Sequence, residues 1–356
     1  MRNWENQTIW TRDNLEVLRR LNSGSVDLIY LDPPFNSNRN YEAPVGSDAE
    51  GSGFRDTWTW TDIDRQYFER VRAEDSDEWL IIKHAARCHS PSMASYLIMM
   101  APRLKEMKRI LKDTGSIYLH CDPTASHYLK GLMDMIFGVK NFRNEIVWCY
   151  QLYAKGFKAN NQYCLPRNKD YILHYAFGDS KIVEKPTKIV DLEKDPLHFS
   201  KDSRGYYSTK PYNEGQNPVL KDNEKLYETK SGRKRIKRYV ENPYKMPLGD
   251  TWVDILDMTY HKKEYVDYPT QKPLALLRRI IKASSNPGDI VLDPFCGCAT
   301  ACVAAEKLGR EWVGIDTNEV TVKLANLRLP QDCIHRTDLP HRTDLAHLPR
   351  AITVSN

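Results

Sequence analysis

The chain has 356 residues and a net charge of +5, with 52 Lys and Arg against 47 Asp and Glu. No stretch approaches the roughly 18 apolar residues that a membrane helix needs, and the opening residues 1–6 have no signal-peptide core, so we expect a cytoplasmic protein. The eight cysteines are mostly far apart in a chain that is too large to need disulfide bonds, so we expect reduced thiols.

The first elements lead to a loop that is rich in proline. Residues 8–21 carry apolar side chains at mostly helical spacing, and Asp13, just ahead of the apolar face, is predicted to be a helix N-cap. The β-forming run Val26–Leu31 is followed by Asp32-Pro33-Pro34-Phe35. Proline has no N–H to continue a strand ladder, so the chain leaves the sheet there and Asp32 stands at the carboxyl end of the strand. Ligands of open α/β sheets bind at that edge.

This loop has the groups that could hold the amino group of a flat heteroaromatic base. The Asp32 carboxylate can accept one amino hydrogen, the Pro33 carbonyl can accept the other, and Phe35 can stack on the ring. Drawing both hydrogens aside leaves the nitrogen lone pair available for attack. Taken alone, the stretch is explained equally well as an ordinary exit from a strand.

Residues 36–53 are dense in Asn, Ser, Asp and Gly, which predicts a mobile surface loop. Beside a site at Asp32, such a loop would act as a lid or become ordered on binding substrate. The next residues, 54–60, interleave aromatic rings with an arginine. We favour packing of these rings over the alternative, stacking on nucleic acid.

A βαβ unit comes next along the chain. Residues 92–111 have the spacing of a helix that covers a sheet, and Ser116–His120 is predicted to be the following strand. A right-handed crossover would place this strand parallel to the first one. Two further strands are predicted at Ile146–Trp148 and Asp170–Tyr175. His120 and Asp122 are interpreted as a structural polar pair.

From about residue 179 to residue 250 the periodicity is lost, which indicates an inserted, irregular lobe. Residues 230–239 concentrate the cations Lys230, Arg233, Lys234, Arg235, Lys237 and Arg238. Such a run usually marks a solvated surface, but with several tyrosines nearby we favour contact with nucleic acid. Because no zinc-finger or helix-turn-helix signature is present, we expect bases to be read by an irregular surface.

The α/β pattern returns after residue 268. Thr270 is predicted to cap a helix that has Pro273 in its first turn. A turn at residues 286–289 leads to a strand at Ile290–Leu292 and then to the small-residue loop Asp293–Ala301. A helix at residues 301–308 and a strand that ends in Asp316 complete the unit.

A strand, a tight turn, a helix and a strand ending in an acid are typical of nucleoside binding, with Asp316 on the ribose hydroxyls. The turn lacks G-x-G-x-x-G, and Asp293 would repel a pyrophosphate, so the carboxylate suits a cationic ligand with an ammonium and a sulfonium group. A plain packing turn is the alternative. The nearby Cys296, Cys298 and Cys302 lack a further ligand pair, so we predict no metal site and interpret them as small packing residues.

With these motifs in this order, the chain resembles the β class of amino-group DNA methyltransferases, which modify adenine N6 or cytosine N4 with S-adenosylmethionine. The resemblance covers about residues 13–329. It implies a Rossmann-like α/β sheet with helices on both faces and an inserted irregular target-recognition lobe. The implied regions are a catalytic half at 1–150, a target-recognition region at 151–250, a cofactor-binding half at 251–330 and a tail at 331–356.

The resemblance also implies roles for single residues. Asp32, Pro33, Pro34 and Phe35 match the catalytic loop that holds a flipped-out base. Other residues match the motifs that bind S-adenosylmethionine. Asp13 corresponds to an acid near the adenine amino group of the cofactor, Lys272 to the segment that meets its carboxylate end, and Asp316 to the acid on its ribose hydroxyls. The cofactor loop is matched by Asp293, Phe295 and Gly297. Cys298 stands where many relatives have a second glycine.

The implied reaction is attack of the amino nitrogen of a base, rotated out of double-stranded DNA, on the sulfonium methyl group. The acid at position 32 favours adenine N6, because cytosine-N4 enzymes of this family usually have serine there; cytosine N4 is the alternative. A non-catalytic nucleic-acid-binding protein is the alternative of another class, and the intact Asp32 and Asp316 argue against it. The expected partner is double-stranded DNA, with a cognate restriction endonuclease and a second copy of the chain as further options.

Overall fold

The structure is a computed structural model. It describes residues 2–37, 39–151, 165–190, 192–194, 199–212, 220–229 and 231–344. The chain divides into two compact units, one made of Met1–Glu184 with Asp250–Asn356 and the other of Lys185–Gly249. None of the described helices is long and apolar enough to cross a membrane.

The strands and helices are numbered in chain order. The strands are β1 Thr8–Thr11, β2 Val26–Leu31, β3 Arg39–Glu42, β4 Gly53–Asp56, β5 Leu111–Cys121, β6 Phe142–Cys149, β7 Lys169–Ala176, β8 Thr187–Val190, β9 Ser200–Asp202, β10 Gly205–Pro211, β11 Glu224–Glu228, β12 Lys234–Val240, β13 Tyr244–Pro247, β14 Thr251–Trp252, β15 Ile290–Asp293, β16 Glu311–Asp316 and β17 Ile334–Arg336. The helices are α1 Asn14–Arg20, α2 Arg65–Ala73, α3 Asp77–Cys88, α4 Pro91–Ile110, α5 Ser126–Phe137, α6 Leu274–Ser284, α7 Thr300–Lys307 and α8 Val320–Asn326.

A large central sheet organises the first unit. Counted over the described residues it has nine strands in the order β14-β6-β7-β5-β2-β15-β16-β1-β17. The strands from β5 to β17 in this order run parallel, whereas β7 is antiparallel to both β5 and β6. The predicted βαβ unit is confirmed, because α4 connects β2 to β5 and these two strands pair in parallel.

β2 lies near the middle of this sheet and is buried on both faces. Leu28 and Tyr30 belong to a hydrophobic cluster that includes α6 and α7, whereas Ile29 and Leu31 belong to a second cluster that includes α1, α4 and α5. Side chains alternate across a strand, so an apolar run of this kind fits between two helical layers. The predicted α/β class, with helices on both faces of a mostly parallel sheet, is confirmed.

The helical pattern predicted from residue 8 is wrong over its first four residues. Thr8–Thr11 form β1, which pairs with β16 on one side and β17 on the other. These two partners come from the far end of the chain, so local spacing could not reveal them. The N-cap prediction is confirmed, because the Leu15 N–H donates to Asp13 Oδ1 at 2.8 Å and α1 starts at the next residue, Asn14.

The segment 36–53 contains more regular structure than predicted. β3 and β4 form an antiparallel hairpin in which the rings of Tyr41 and Phe54 stack 4.9 Å apart. Trp58, just beyond the hairpin, has its ring 6.3 Å from that of the buried Tyr96. These contacts agree with packing, the favoured interpretation of the aromatic stretch.

Thr270 does not cap a helix, so that prediction is wrong. α6 begins at Leu274 with Pro273 in the cap position, and Thr270 has a φ of +67°. The Leu274 N–H donates instead to Glu264 Oε1 at 3.1 Å. A carboxylate ten positions earlier therefore does what a local cap would do.

The second unit is also more regular than predicted. It has a four-stranded antiparallel sheet, ordered β11-β12-β10-β9, and the pair β8–β13. A small cluster of Val190, Leu192, Phe199 and Tyr206 is buried there. Charged side chains occupy both faces of β12, which hides the apolar alternation that predicts strands. The unit is shorter than the predicted region 151–250, since β7 lies in the central sheet.

Candidate active site

A cleft of about 670 Å³ lies at the carboxyl ends of the parallel strands. It is lined by all the residues predicted for catalysis and cofactor binding, namely Asp13, Asp32, Pro33, Pro34, Phe35, Lys272, Asp293, Phe295, Gly297 and Asp316. β1, β2, β15 and β16 run parallel in adjacent positions, so the residues that end or follow them meet at one edge. The sheet thus joins motifs from both ends of the chain.

Asp32 is held from one side. Its Oδ2 accepts a hydrogen bond and ion pair from Lys272 Nζ, and the two side chains are only 17% and 11% exposed. Its Oδ1 is buried, and no donor among the described residues reaches it. A buried acceptor without a partner is unfavourable unless a ligand supplies the donor. The Oδ1 atom can therefore accept one hydrogen from a bound amino group.

Phe35 lies on a buried polar network. Its ring stacks on His120 with centroids 5.9 Å apart, and His120 Nδ1 lies 3.0 Å from the Tyr30 hydroxyl. His120 Nε2 lies 3.1 Å from Asp170 Oδ2. Burial raises the pKa of Tyr30 well above its ordinary value, so the hydroxyl stays protonated. His120 is thus a support for the Phe35 ring, and its polar partner is Asp170 rather than the predicted Asp122.

The hairpin β3–β4 is fastened to the loop that follows Phe35. The backbone N–H groups of Asn36 and Ser37 donate to Asp56 Oδ1 and Oδ2, at 2.6 and 3.0 Å. Asp56 is almost completely buried. The sequence analysis missed its role because the acid stands in an aromatic stretch that indicates packing only. Asp56 positions the loop because it satisfies two of its backbone donors at once.

Asp293 is a buried carboxylate at the end of β15. Only the Phe295 N–H donates to it, at 3.1 Å, among the described residues. Burial, followed by the nearby Asp32 and Asp316 carboxylates, raises the pKa of Asp293 well above its ordinary value. The described structure gives it no cation at ion-pair distance, so a positively charged ligand would relieve the cost of its burial.

Gly297 brings the backbone of the cofactor loop close to Asp316. The Gly297 N–H donates to Asp316 Oδ2 at 2.8 Å, and the Asn318 N–H donates to Oδ1 at 3.0 Å. Burial raises the pKa of Asp316. Gly297 has a φ of +51°, and a Cβ there would lie 3.1 Å from the Tyr268 ring. Both the backbone conformation and the space therefore require glycine.

Asp13 and Asn14 join the first helix to the cofactor loop. Asn14 Nδ2 donates to the Pro294 carbonyl at 2.6 Å. Arg103 donates to Asn14 Oδ1 from Nε and to Asp13 Oδ2 from Nη2, both at 2.6 Å. Arg103 was missed by the sequence analysis, although it lies four residues from Met99 and from Met107 on a buried stripe of α4. A cation on such a stripe signals a polar partner.

The three clustered cysteines are free and buried. A Cβ at Gly314 would lie 2.9 Å from Cys296 Sγ and 3.1 Å from Cys302 Sγ, so these thiols pack on β16. Burial raises the pKa of Cys298, which keeps the thiol neutral. Across the described ranges there is no group of three or more side chains arranged to hold a metal ion.

The predicted DNA-binding cations do not form one patch. Lys230 lies outside the described residues, and Arg233 is exposed in the turn before β12. By strand alternation and register, Arg235 and Lys237 share one side of the sheet with Tyr207, Tyr227 and Tyr239, which we call the tyrosine face. Lys234 and Arg238 share the other side with Glu224, which we call the glutamate face.

The two faces differ in their chemistry. On the tyrosine face Lys237 Nζ lies 4.0 Å from the Tyr207 ring centroid and 5.3 Å from that of Tyr227. On the glutamate face Arg238 is paired with Glu224 at 2.9 Å, and Lys210 is paired with the same carboxylate at 2.8 Å. Lys237 is also paired with Asp202 at 2.7 Å, so each face holds a cation that is neutralised by a carboxylate. What distinguishes the tyrosine face is the row of aromatic rings beside its cations.

A model of the DNA methylase family that includes N6 and N4 enzymes matches residues 26–327. The chain belongs to this family. The resemblance inferred from the motifs is confirmed, and this DNA methylase uses S-adenosylmethionine as its methyl donor.

Two relatives show how far the similarity extends. The methylase is 29% identical to Type II methyltransferase M.EcaI of Enterobacter cloacae, over 89% of this chain and 68% of the relative. It is also 29% identical to DNA adenine methyltransferase YhdJ of Escherichia coli (strain K12), over 91% and 83% of the two chains. Among solved structures, PvuII DNA methyltransferase (cytosine-N4-specific) aligns with a TM-score of 0.48 and 13% identity, over 90% and 86%.

The residues of the methylase cleft fit S-adenosylmethionine. When bound, this cofactor supplies an electrophilic methyl group on a sulfonium centre. Asp293 is a buried carboxylate with no cation at ion-pair distance among the described residues, and the nearby Lys272 ammonium, paired with Asp32, offsets its charge only in part. Asp293 therefore suits the positive charge of such a ligand. The small-residue loop around Gly297 is held against Asp316 by the Gly297 N–H, and its small side chains let a ligand approach the backbone.

Proposed function

We propose that this DNA methylase modifies the exocyclic N6 of adenine in double-stranded DNA. The observation that carries this proposal is the buried Asp32 Oδ1, which has no donor among the described residues and stands at the start of the Asp32–Phe35 loop. An adenine amino group has two hydrogens, and Asp32 and the Pro33 carbonyl would accept one each. Phe35, packed on His120, would stack on the purine ring.

The chemistry of this chain is alignment and polarisation. Holding both amino hydrogens directs the nitrogen lone pair toward the cofactor side of the cleft, where Asp293 and Asp316 lie. Methyl transfer from a sulfonium is favourable in itself, so orientation supplies much of the rate enhancement. The residues given this role are Asp32, Pro33, Pro34 and Phe35, and those that would hold the cofactor are Asp13, Lys272, Asp293, Phe295, Gly297 and Asp316.

Access to a carboxylate that is largely shielded from solvent requires the base to leave the helix. The amino group of a paired adenine is engaged within the duplex, and the Asp32 side chain is only 17% exposed. Rotation of the nucleotide out of the stack costs a few kcal/mol and would place the base edge at Asp32. Base flipping is therefore part of the proposal.

Two points support adenine over cytosine. Position 32 is an acid, whereas cytosine-N4 enzymes of the resembled class usually have serine there. In addition, one relative that is 29% identical to this chain is named a DNA adenine methyltransferase. Cytosine N4 remains the alternative product, because it would use the same motifs. The relative M.EcaI is named a Type II methyltransferase, which supports a role for this chain in a restriction-modification system.

The decisive experiment is to express the chain in a host without DNA methylation and to sequence the host DNA with detection of modified bases. We expect N6-methyladenine at one short recognition sequence, and its loss in an Asp32→Ala strain. N4-methylcytosine at a defined sequence would contradict the adenine assignment. Unmodified DNA from cells with folded protein would contradict methylation by this chain.

We also propose that Lys185–Gly249 is the target-recognition unit and that its tyrosine face contacts the DNA. Cations beside aromatic rings can bind phosphates and stack on sugars or bases. The glutamate face is the weaker candidate because Tyr206 and Ile236, which lie on that side by strand alternation, are buried within the protein. Of the cations predicted from the sequence, Arg235 would then contact DNA directly, with Lys237 beside it in its ion pair with Asp202. Lys234 and Arg238 would contribute only to the general electrostatic field.

Adjacent residues offer a matched test of this surface. Arg235 and Lys234 carry the same charge but lie on opposite faces of β12. We expect Arg235→Gln to weaken DNA binding about threefold to tenfold and to reduce the slope of log affinity against log salt by about one. Lys234→Gln should change neither by a comparable amount. Both quantities can be measured by fluorescence anisotropy between about 50 and 200 mM salt. Equal effects of the two substitutions would show that DNA affinity depends on the charge of the unit and not on which face of β12 carries it.

A further inference from the structure

We propose that Lys272 is a positioning residue for Asp32, beyond the contact with the cofactor carboxylate that the family resemblance implies. This inference rests on the proposed function, in which Asp32 accepts a hydrogen from the target amino group. The Lys272 ammonium contacts Asp32 Oδ2, and it also lies 5.4 Å from the centroid of the Phe35 ring. One cation thus touches both side chains that would hold the base.

The Lys272 ammonium makes the two carboxylate oxygens of Asp32 different from each other. Oδ2 is occupied by Lys272, and Oδ1 is left buried without a donor in the described structure. A carboxylate without such a partner could rotate and present either oxygen. The ion pair removes this freedom and balances the charge of a carboxylate that is largely shielded from water. Asp32 is thereby fixed with a single oxygen available to the base.

The backbone that carries Lys272 is anchored on both sides. Gln271 is buried, its Nε2 donates to the Glu264 carbonyl at 2.8 Å, and its Oε1 accepts from the Val266 N–H at 3.0 Å. On the other side Pro273 leads directly into α6. Lys272 Nζ also lies 3.4 Å from the Thr270 carbonyl of its own segment. These contacts present the ammonium at a defined point, unlike a freely rotating surface lysine.

The two roles for Lys272 make different predictions. If it serves only the cofactor carboxylate, its loss weakens cofactor binding and leaves turnover at saturating cofactor unchanged. If it positions Asp32, its loss slows methyl transfer at saturating cofactor and DNA. Displacement of a reacting group by about 1 Å can cost about 10²-fold in rate. The rate at saturation therefore separates the two roles.

The test uses the full chain with Lys272→Met, Lys272→Gln and Lys272→Arg, and with Lys263→Met as the control. Lys263 is an exposed lysine of the same segment and does not line the cleft. We expect Lys272→Met and Lys272→Gln to lower the single-turnover rate at saturating S-adenosylmethionine about 10²-fold, in addition to any loss of S-adenosylmethionine affinity that calorimetry records for the contact with the cofactor carboxylate. Lys272→Arg keeps a positive charge and should have at least about a tenth of the wild-type rate. The control Lys263→Met should have the full wild-type rate.

A double-mutant cycle with Asp32→Asn gives an independent readout. If Lys272 acts through Asp32, adding Lys272→Met to Asp32→Asn should change the residual rate less than about threefold. Additive effects, or weaker cofactor binding with an unchanged saturated rate, would overturn the proposal. Cofactor binding also reports folding of each variant. Methylation of cytosine by the wild type would contradict the adenine assignment but leave this comparison of rates valid.

Discussion

Two aspartates stand side by side in the cleft and differ in how their charges are balanced. Asp32 follows β2 and Asp293 ends β15, and these strands are hydrogen-bonded neighbours. Asp32 is paired with an ammonium from its own chain, whereas Asp293 has no cation at ion-pair distance among the described residues and has a pKa raised by burial. The two carboxylates therefore differ in the charge of the ligand that each would favour.

The difference has a physical consequence for what each acid can bind. A carboxylate whose charge is already balanced can accept a hydrogen from a neutral amine without a large change in electrostatic energy. A buried carboxylate without a counter-ion gains most from a ligand that brings a positive charge. We therefore connect Asp32 with the neutral base and Asp293 with the cationic cofactor, and substitutions at the two sites should separate these roles.

The largest expected effect is at Asp32. Asp32→Ala should lower single-turnover methyl transfer by about 10²–10³-fold or more, because the acceptor for the amino hydrogen is lost. S-adenosylmethionine affinity should change less than about threefold, since the proposed contact of Asp32 is with the base. Both quantities can be measured with labelled cofactor and duplex DNA. Full activity in this variant would rule out the proposed mechanism.

Asp293→Asn should have the reverse signature, with cofactor affinity reduced by about tenfold, or about 1.4 kcal/mol. Ionisation of Asp293 favours a cationic ligand, so wild-type affinity should rise as pH rises toward its raised pKa. The variant should lose part of this dependence and keep the part that Asp316 contributes. Calorimetry between pH 5 and 8 measures both, and an unchanged pH dependence would contradict the role of Asp293.

The same substitution should stabilise the protein without ligand. In the unfolded chain this carboxyl ionises near pH 4, so above that pH the folded state binds the additional proton and stability falls as pH rises through the raised pKa. Asp293→Asn should therefore raise the free energy of unfolding at neutral pH, because the amide has no charge to bury. Denaturant unfolding checks this, and a loss of stability would contradict the unbalanced charge.

Gly297→Ala should have the smallest effect of the series and should weaken cofactor binding about fivefold to tenfold. A side chain at a φ of +51° costs about 1–2 kcal/mol, and its Cβ would lie 3.1 Å from Tyr268. Gly249→Ala is the matched control, because a Cβ there meets no atom within 4 Å. Equal cofactor affinities for the two variants would indicate that the loop tolerates a shift at Gly297.

The main features of the site were predictable from local sequence. An apolar run that ends in Asp32-Pro33-Pro34 must leave the sheet, and the small residues of the turn after Asp293 leave room for a ligand to approach the backbone. In a parallel sheet both loops fall on one edge. This is why all the predicted catalytic and cofactor residues line a single cleft.

Pairings between distant residues were not predictable in the same way. The strand Thr8–Thr11 depends on β16 and β17, and the start of α6 is capped by Glu264 rather than by Thr270. The basic run looked like one patch because a linear sequence does not show that β12 directs alternate side chains to opposite faces. The errors at Thr8–Thr11 and at Thr270 arose where a tertiary contact replaced a local one, and the error in the basic run arose from alternation along a strand that had not been predicted.

The sequence by itself determined the fold class, the family and the positions of both acids, because these depend on strand periodicity and on residues adjacent to strand ends. Only the tertiary structure decided that Asp32 is paired with Lys272, that Asp293 has no such partner in the described residues, and that Arg103 holds Asp13 and Asn14. The physical reason is that charge balance depends on three-dimensional distance and burial, which sequence separation does not set.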